Sequence, residues 1–547
     1  MWSIVQYRRI GKNVEQAWQA RPRGPLQQTT TGHGRDEEDI SPPQRSTSQH
    51  VDQESSPASQ HDQNKSTGGE EFDVTIEAED DPIDAHNWSL LERVKTMVIV
   101  CLLVFTQAWA GSCDSMVNAK ASEQYRVSQV AQDVTTAIFL FGIASGCLFT
   151  GALSQTFGRN PIYLVFTFAY LVFILGTALS TTFASRIVCR YFAGLFSSAA
   201  LGINGASAGD MFSPVERALW FPIIAWFNIV PPVLAPIVGG WVATQRHLGW
   251  IWTDWIILIM STFAFVVAFC FLPETNLATL LGYKAKHIRR ITRDDRYTSK
   301  QQGSSRGGLG ASLKEVMVLS VKFSTQELAV VALGVYLIML YVVLFTFLSG
   351  FDYMFKEPYG LDPLQEGACF ASIALGATLF TLVGPILYQW TLCKTRTDSY
   401  HVRSSKPVQP EFRLWPAMCC SPLLPMSLFW LGWTDSPTIS IYSGLAACFC
   451  FGIVLNAMYV SSYAYIVDSY GDKAAIALAS VTMMRYLVAG GMVMAARPMY
   501  LRKLGVHWTM TLLGCVAVIL TPAPYALYKY GDKLRSKSPY AAATEGE

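Results

Sequence analysis

The chain has 547 residues, 51% of them apolar and only 15% charged, and its 42 basic residues against 40 acidic ones leave a net charge of +2. Soluble domains carry roughly 25% charged residues, and a chain so near neutrality lacks the basic field that nucleic-acid binding draws on. The apolar residues are gathered into long blocks, which excludes a soluble globule, a disulfide scaffold and a wholly disordered chain, and points to a protein that lives in a bilayer.

Residues 1–92 are rich in Gln, Ser, Asp, Glu and His, with hardly an apolar pair after Trp18. Such a segment buries too little surface to offset the entropy of ordering, so it is expected to be a disordered tail. Its start carries Arg8, Arg9 and Lys12 but no apolar stretch of the kind a secretory signal needs. Asn64-Lys-Ser66 and Asn87-Trp-Ser89 match the glycosylation acceptor pattern, although the orientation derived below puts both on the wrong side of the membrane.

From residue 94 on, apolar stretches of about 20 residues, the length that crosses a bilayer as a helix, follow one another. Spans 1 to 6 are expected near 94–112, 132–153, 161–180, 186–208, 218–243 and 250–272, and spans 7 to 12 near 328–349, 367–390, 414–433, 440–464, 474–496 and 506–528. The domains that follow are an N-terminal six-helix bundle (93–272), a C-terminal one (328–528) and a tail (529–547). The divider, 273–327, holds Lys284, Lys286, Arg289, Arg290, Arg293 and Arg296 before a Gly/Ser-rich stretch from Gly303 to Ser312, and reads as an amphipathic or flexible linker. Loops on the side of the N-terminus hold 22 basic residues against seven on the other side. The positive-inside rule therefore puts both termini and the linker in the cytoplasm. Ten of the twelve cysteines lie in apolar blocks and no C-x-x-C pair exists, so they read as small buried hydrophobes and no metal site is expected.

The loop after span 2 reads Gly151-Ala-Leu-Ser-Gln-Thr-Phe-Gly158-Arg159-Asn-Pro161. It resembles the loop motif G-x-x-S-D/E-x-x-G-R-R/K-P of the major facilitator superfamily. Span 4 begins Arg190-Tyr-Phe-Ala-Gly194, similar to the family's R-x-x-x-G segment, and ends Gly205-Ala-Ser-Ala-Gly-Asp210 much like the fungal drug:proton antiporters. Span 5 carries Pro231-Pro-Val-Leu-Ala-Pro-Ile-Val-Gly-Gly240, which resembles the antiporter signature G-P-x-x-G-P-x-x-G-G. Leu272-Pro-Glu-Thr275, Tyr465-Ile-Val-Asp468 and Pro522-Ala-Pro524 with Tyr528-Lys-Tyr-Gly531 extend the likeness, which covers about residues 82 to 535. The departures are Gln155 for a carboxylate and Asn160 for a base in the loop motif, Pro231 and Ala235 for two glycines in span 5, and Ile251 between Trp250 and Trp252 where Arg is frequent. With Gln155 and Asn160 the charge latch ascribed to this loop is expected to be diminished.

The resemblance implies an all-α polytopic membrane protein with the major facilitator fold, two six-helix bundles around a central cavity. It also implies proton-coupled efflux of a small organic molecule (a secondary metabolite, toxin or drug) by alternating access, from a monomer in the plasma membrane, with the vacuolar membrane as the alternative. No cofactor is implied; the energy source is the proton gradient. Uptake by symport and polyamine export are the alternatives within the class, and a transporter-like receptor that moves nothing is the alternative outside it. An ATP-driven pump is excluded because Gly11-Lys12 has no glycine-rich P-loop before it, and an enzyme because there is no H-E-x-x-H and no histidine deep in a span.

Particular residues follow from chemistry. A charge inside a span costs at least ~2.5 kcal/mol and faces the interior, which singles out Arg190 in span 4 and Arg485 in span 11 for coupling or, alternatively, as structural hubs. Arg186, at the start of span 4, is expected to snorkel to the outer interface. A proton site needs a group that titrates; Asp114 at the end of span 1 and Asp254 at the start of span 6 are the candidates. Asp254 is expected to be desolvated by Trp252 and Trp255, or else both carboxylates are wetted interface residues. Pro232 and Pro236 kink span 5 while Gly239 and Gly240 permit close backbone contact, either as a gate or as packing alone. Arg159 beside Gly158 is placed to bond helix-end carbonyls or a carboxylate, or serves only as a positive-inside charge. Trp109, Trp226, Tyr341 and Phe345 are the aromatic side chains expected at a cavity, unless they face lipid or core.

Overall fold

The computed structural model describes residues 2–20, 72–75, 81–245, 247–294, 296–299, 309–398, 410–501, 504–536, 538 and 540. The Asn64 acceptor triplet, most of the polar N-terminal tail and the middle of the Gly-rich linker lie outside the described residues. Apart from a two-residue parallel pairing of Phe72–Asp73 with Tyr297–Thr298, the regular structure among the described residues is helical.

Among the described residues, eleven helices are long and apolar enough to cross a membrane. Spans 2 to 6 are Gln129–Phe157, Arg159–Ala178, Phe183–Met211, Pro214–Thr244 and Trp252–Phe271. Spans 7 to 12 are the helices beginning at Leu328, Pro363, Trp415, Ile441, Ala474 and Gly505. Span 1, Leu90–Trp109, is apolar from Thr96 onward but opens with Glu92, Arg93 and Lys95. It starts four residues earlier than its apolar block because the Ser89 side chain accepts from the Glu92 N–H and caps the helix there. The same chemistry starts its neighbours: Ser128 caps span 2, Thr182 caps span 4, and Ser213 with Glu216 forms a capping box on span 5.

The outward faces are apolar at helical spacing, as with Val165, Phe168 and Val172 of span 3 and Ile259, Phe263 and Val266 of span 6, all exposed. In a bilayer those residues meet hydrocarbon, so the helices hide their polar residues inward and one another's backbones close. A methyl on Gly146 would collide with Ser198 and the Leu195 carbonyl, and one on Gly142 with the backbone of Tyr191 and Leu195; spans 2 and 4 approach that closely only because both residues are glycine. Spans 1 to 6 pack together, as do spans 7 to 12, and the two halves meet where span 11 lies on spans 2 and 4 and where span 5 lies on spans 8 and 10.

One expectation is corrected, and the linker and the C-terminal tail take definite form. The tail expected to be disordered over 1–92 begins with a helix, Trp2–Ala20, which buries Ile10 and Val14 against Leu280 and Leu281. The linker supplies that partner as an amphipathic helix, Leu277–Thr292, and forms a second one, Leu309–Thr325. The last span continues through Pro522–Arg535, so the C-terminal tail begins as helix and is tied down by an ion pair between Arg535 and Glu411.

Candidate functional site

Span 4 places Arg186 and Arg190 one turn apart on a single face, 0% and 1% exposed. Asp114, in the turn after span 1, and Asp254, in the first turn of span 6, close on them. Arg186 donates to Asp254 at 2.7 Å and to Asp114 at 3.0 Å, while Arg190 donates to Asp114 at 2.7 Å and to Asp254 at 3.0 Å. Each arginine therefore binds both aspartates, and three spans of the N-terminal half are knotted by two positive and two negative charges. Arg190 also donates to the Ala110 carbonyl at 3.0 Å and the Cys113 thiol at 3.3 Å. The oxygens of Asp114 and Asp254 and the Cys113 sulfur lie within 4.8 Å of one another, a spacing a metal ion could use, but the two guanidiniums already occupy those ligand atoms.

Two expectations change here. Arg186 does not snorkel to an interface; its charge is held inside the quartet with the Trp250 ring 4.6 Å from it. Asp254 is not wedged between indoles: Trp252 is exposed, and the carboxylate turns inward to the arginines.

Ion pairs join the halves at both ends. At the end near the quartet, Arg497 of span 11 donates to Asp133 of span 2 at 2.7 Å, and Asn118 donates to the same carboxylate at 2.7 Å. At the opposite end Asp468 of span 10 accepts from Arg217 of span 5 at 2.9 Å and from Arg413 at 2.7 Å. The Gly151–Pro161 loop lies at this second end. Gly158 has φ of 97° and a methyl there would strike Glu274; only glycine suits both demands. Arg159 pairs with Asp210 at 3.0 Å and donates to Ser154 at 2.6 Å. The latch expected to be weak is thus supplied from elsewhere: Glu274, beyond span 6, accepts the backbone N–H groups of Arg159, Asn160, Thr275 and Asn276. Burial pushes the Glu274 carboxyl up to about 7 against the pull of those donors. Gln6 of the N-terminal helix exchanges two hydrogen bonds with the Glu274 backbone. Gly151 packs against Ala475 and Ala479 of span 11.

Span 5 runs as one helix through Pro222, Pro231, Pro232 and Pro236. Pro236 has no N–H to offer the Pro232 carbonyl, and the Ser112 hydroxyl donates to that carbonyl at 2.6 Å instead. The adjacent glycines face different partners. Gly239 lies against Cys113 and Met116 of its own half, whereas Gly240 lies against the Pro363–Leu364 backbone at the head of span 8, and Gly367 of span 8 against the Pro236 carbonyl. Gly194 packs on the Phe139 carbonyl within the N-terminal half.

Arg485 is fully buried. Its guanidinium carbon lies 4.4 Å from the ring centroid of Tyr341, 4.9 Å from Tyr459, 5.7 Å from Tyr463 and 5.1 Å from Tyr486. Of the other aromatic candidates, Phe345 neighbours Tyr341, Trp226 donates to Thr378 of span 8 at 2.8 Å, and Trp109 packs on Phe105. Of these contacts only that of Trp226 with Thr378 crosses between the halves; Phe345 and Trp109 pack on neighbours in their own helices. Gly205-Ala-Ser-Ala-Gly209 has the form G-x-S-x-G, but Ser207 bonds Tyr163 at 2.9 Å and the Ile203 carbonyl, with no histidine beside it, and is helix packing.

Sequence reasoning missed Asp133, Arg497, Glu274, Tyr459 and Tyr463. Asp133 carried a legible signal as a carboxylate two residues into an apolar block, and Tyr459 and Tyr463 stand one turn apart in span 10. Arg497 was counted among loop charges, one residue past the expected end of span 11.

The sequence matches the family model of the Major Facilitator Superfamily over residues 100–495. It is 36% identical to the MFS-type transporter kojT of Aspergillus oryzae over 468 residues, 85% of this chain and 82% of that protein. It is 28% identical to the citrinin biosynthesis cluster MFS transporter mrr1 of Monascus ruber, over 82% of this chain and 88% of that one. The solved structure of the proton:xylose symporter XylE of E. coli shares the fold with a TM-score of 0.57 at 12% identity, over 81% of this chain and 96% of the other.

Proposed function

The chain belongs to the major facilitator superfamily, a family of transporters and not of enzymes, and on that premise we propose that it exports a small organic molecule, a secondary metabolite or xenobiotic, in exchange for protons. The observation that carries the coupling is the buried quartet of Asp114, Arg186, Arg190 and Asp254. Two carboxylates and two guanidiniums balance. A proton on either aspartate leaves two cations facing one anion, and the knot among spans 1, 4 and 6 loosens. The kind of cargo is supported by a relative whose name ties it to a citrinin biosynthesis cluster, and the direction by the likeness of spans 4 and 5 to the fungal drug:proton antiporters. Alternating access then requires the Asp133–Arg497 and Arg217–Asp468 pairs to part in turn. The 22-to-7 distribution of basic loop residues supports cytoplasmic termini. The plasma membrane and a working monomer complete the reading.

The test is efflux of a substrate from vesicles under an imposed pH gradient with ATP absent. Arg190→Ala is expected to abolish gradient-driven efflux at normal membrane abundance, because it leaves two buried carboxylates sharing one arginine. Asp254→Asn is expected to flatten the pH dependence. Efflux that persists after a protonophore collapses the gradient refutes proton exchange.

A further inference from the structure

The quartet matches Arg186 and Arg190 with two aspartates, and Arg159 and Arg497 each pair with one carboxylate, but Arg485 in the middle of span 11 has no such match. That side chain sits where the halves meet: span 11 packs on spans 2 and 4, and the ring of Tyr463 lies against Gly205 of span 4. It is 0% exposed, and its Nε, Nη1 and Nη2 atoms have no hydrogen-bond acceptor. The four tyrosine rings hold the cation by their π faces. Those faces do not answer the N–H bonds, which radiate in the plane of the guanidinium and call for oxygen acceptors at its edge. The hydroxyls of Tyr341 and Tyr459 are also buried without partners, which adds more donors and no anion. Such an arrangement recognises a negative charge. The fork of Arg485 matches a carboxylate in two parallel bonds, and Tyr459 and Tyr463, stacked with centroids 4.1 Å apart, already show how flat rings lie here.

We propose that Arg485 with Tyr341, Tyr459, Tyr463 and Tyr486 is the recognition site for the anionic group of the transported molecule, and that this molecule is a small organic acid with a planar ring. Its carboxylate takes the edge of the guanidinium and its ring stacks on the tyrosines when the halves part. This deepens the exporter reading and rests on it for the direction of movement only. Binding needs no gradient, so the two readings fail separately.

The experiment is calorimetric titration of the purified full-length chain in lipid nanodiscs, without a pH gradient, using 4-hydroxybenzoate and its uncharged isostere 4-hydroxybenzamide as probes. The carboxylate is expected to bind about tenfold or more tightly than the amide, the scale of a charge-assisted hydrogen bond. Arg485→Gln is expected to erase that preference, and Arg485→Lys to keep part of it. The probe-free Arg485→Gln protein is expected to melt no lower than the wild type, since it loses a buried charge that has no anion. Equal binding of acid and amide, no binding of either in the millimolar range, or an unchanged preference in Arg485→Gln overturns the proposal. So does an Arg485→Gln protein that melts far below the wild type, because Arg485 is then a hub that holds the tyrosines. Loss of gradient-driven efflux with the carboxylate preference intact would strike the coupling and leave this site standing.

Discussion

Gly240 of span 5 and Gly367 of span 8 each face the backbone of the opposite half, at Pro363–Leu364 and Pro236–Ile237, and a single methyl at either tests whether span 5 gates that end of the protein. A methyl on Gly367 would sit 2.6 Å from the Pro236 carbonyl oxygen, where ordinary contact begins at 3.4 Å, so the halves must open by about 0.8 Å to admit it. Gly240 is tighter still against the Pro363 carbonyl. Both obstacles are backbone and cannot rotate away. Overpacking of this kind costs about 1–3 kcal/mol, and here it falls only on the state closed at the quartet end. Gly240→Ala is therefore expected to shift the population from closed to open at that end by about 5- to 150-fold, while each half keeps its own packing. Spin labels on the exposed residues Glu123 and Glu357, one on each half at that end, report the distance, after the exposed Cys419 and Cys515 are replaced by serine. Gly194→Ala provides the contrast: its methyl meets the Phe139 carbonyl inside one half, so folded yield falls and the distance distribution of the surviving protein does not move. A Gly240→Ala protein with the wild-type distance distribution and wild-type flux refutes the gate.

Other outcomes are as definite. The Glu274 carboxyl, raised from its usual 4.5 to about 7 by burial, binds more protons folded than unfolded in that window. Stability is expected to fall as pH rises from about 4.5 to 7 and to level off above. Glu274→Gln should remove that slope from the melting temperature, and a slope of the same size in the variant would assign it to another group. Tags at either terminus are expected to be reached by antibody only after the plasma membrane is permeabilised; labelling of the Lys314 region on intact cells would reverse the orientation. Arg190→Ala in the vesicle assay is expected to lose gradient-driven efflux while Arg190→Lys, which keeps the charge, retains a measurable part.

The spans were legible because each is set by a local quantity, an unbroken apolar stretch of bilayer length, and Ser or Thr caps mark where several begin. Membership of the quartet was half legible. Arg190, Asp114 and Asp254 stood out as charges at apolar blocks, but Arg186 was assigned to an interface because its partners lie 68 and 72 residues away along the chain. No pattern within one span reports such a pairing. The N-terminal helix was missed for a different reason. Composition judged residues 1–92 as a whole, and the four-residue spacing of Trp2, Gln6, Ile10 and Val14, which makes one face of a helix, was diluted by the polar residues after it. The latch at Gly158 was underrated because Gln155 and Asn160 were weighed against a motif, whereas the anion that holds the loop, Glu274, arrives from the far end of span 6.

The quartet and the tyrosine cage lie in different halves, so whatever happens at one reaches the other only through contacts that cross between them. The segment from Ala110 to Asn118 is placed to carry that. Asp114 ties it to both arginines of span 4. Ser112 holds the Pro232 carbonyl that Pro236 leaves free, and Gly239 rests on Cys113, so the same segment braces the proline-bearing part of span 5. Asn118 donates to Asp133, the carboxylate that Arg497 grips from the C-terminal half, and Arg497 stands three turns of helix beyond Arg485 on span 11. These bonds are 2.6–3.0 Å long and made by buried groups, so the segment cannot shift at Asp114 without moving at Ser112 and Asn118. A loosened quartet thus acts at once on the span-5 packing that closes the halves and on the ion pair that joins them, and the Glu123–Glu357 label pair read in Arg190→Ala measures both effects as one distance.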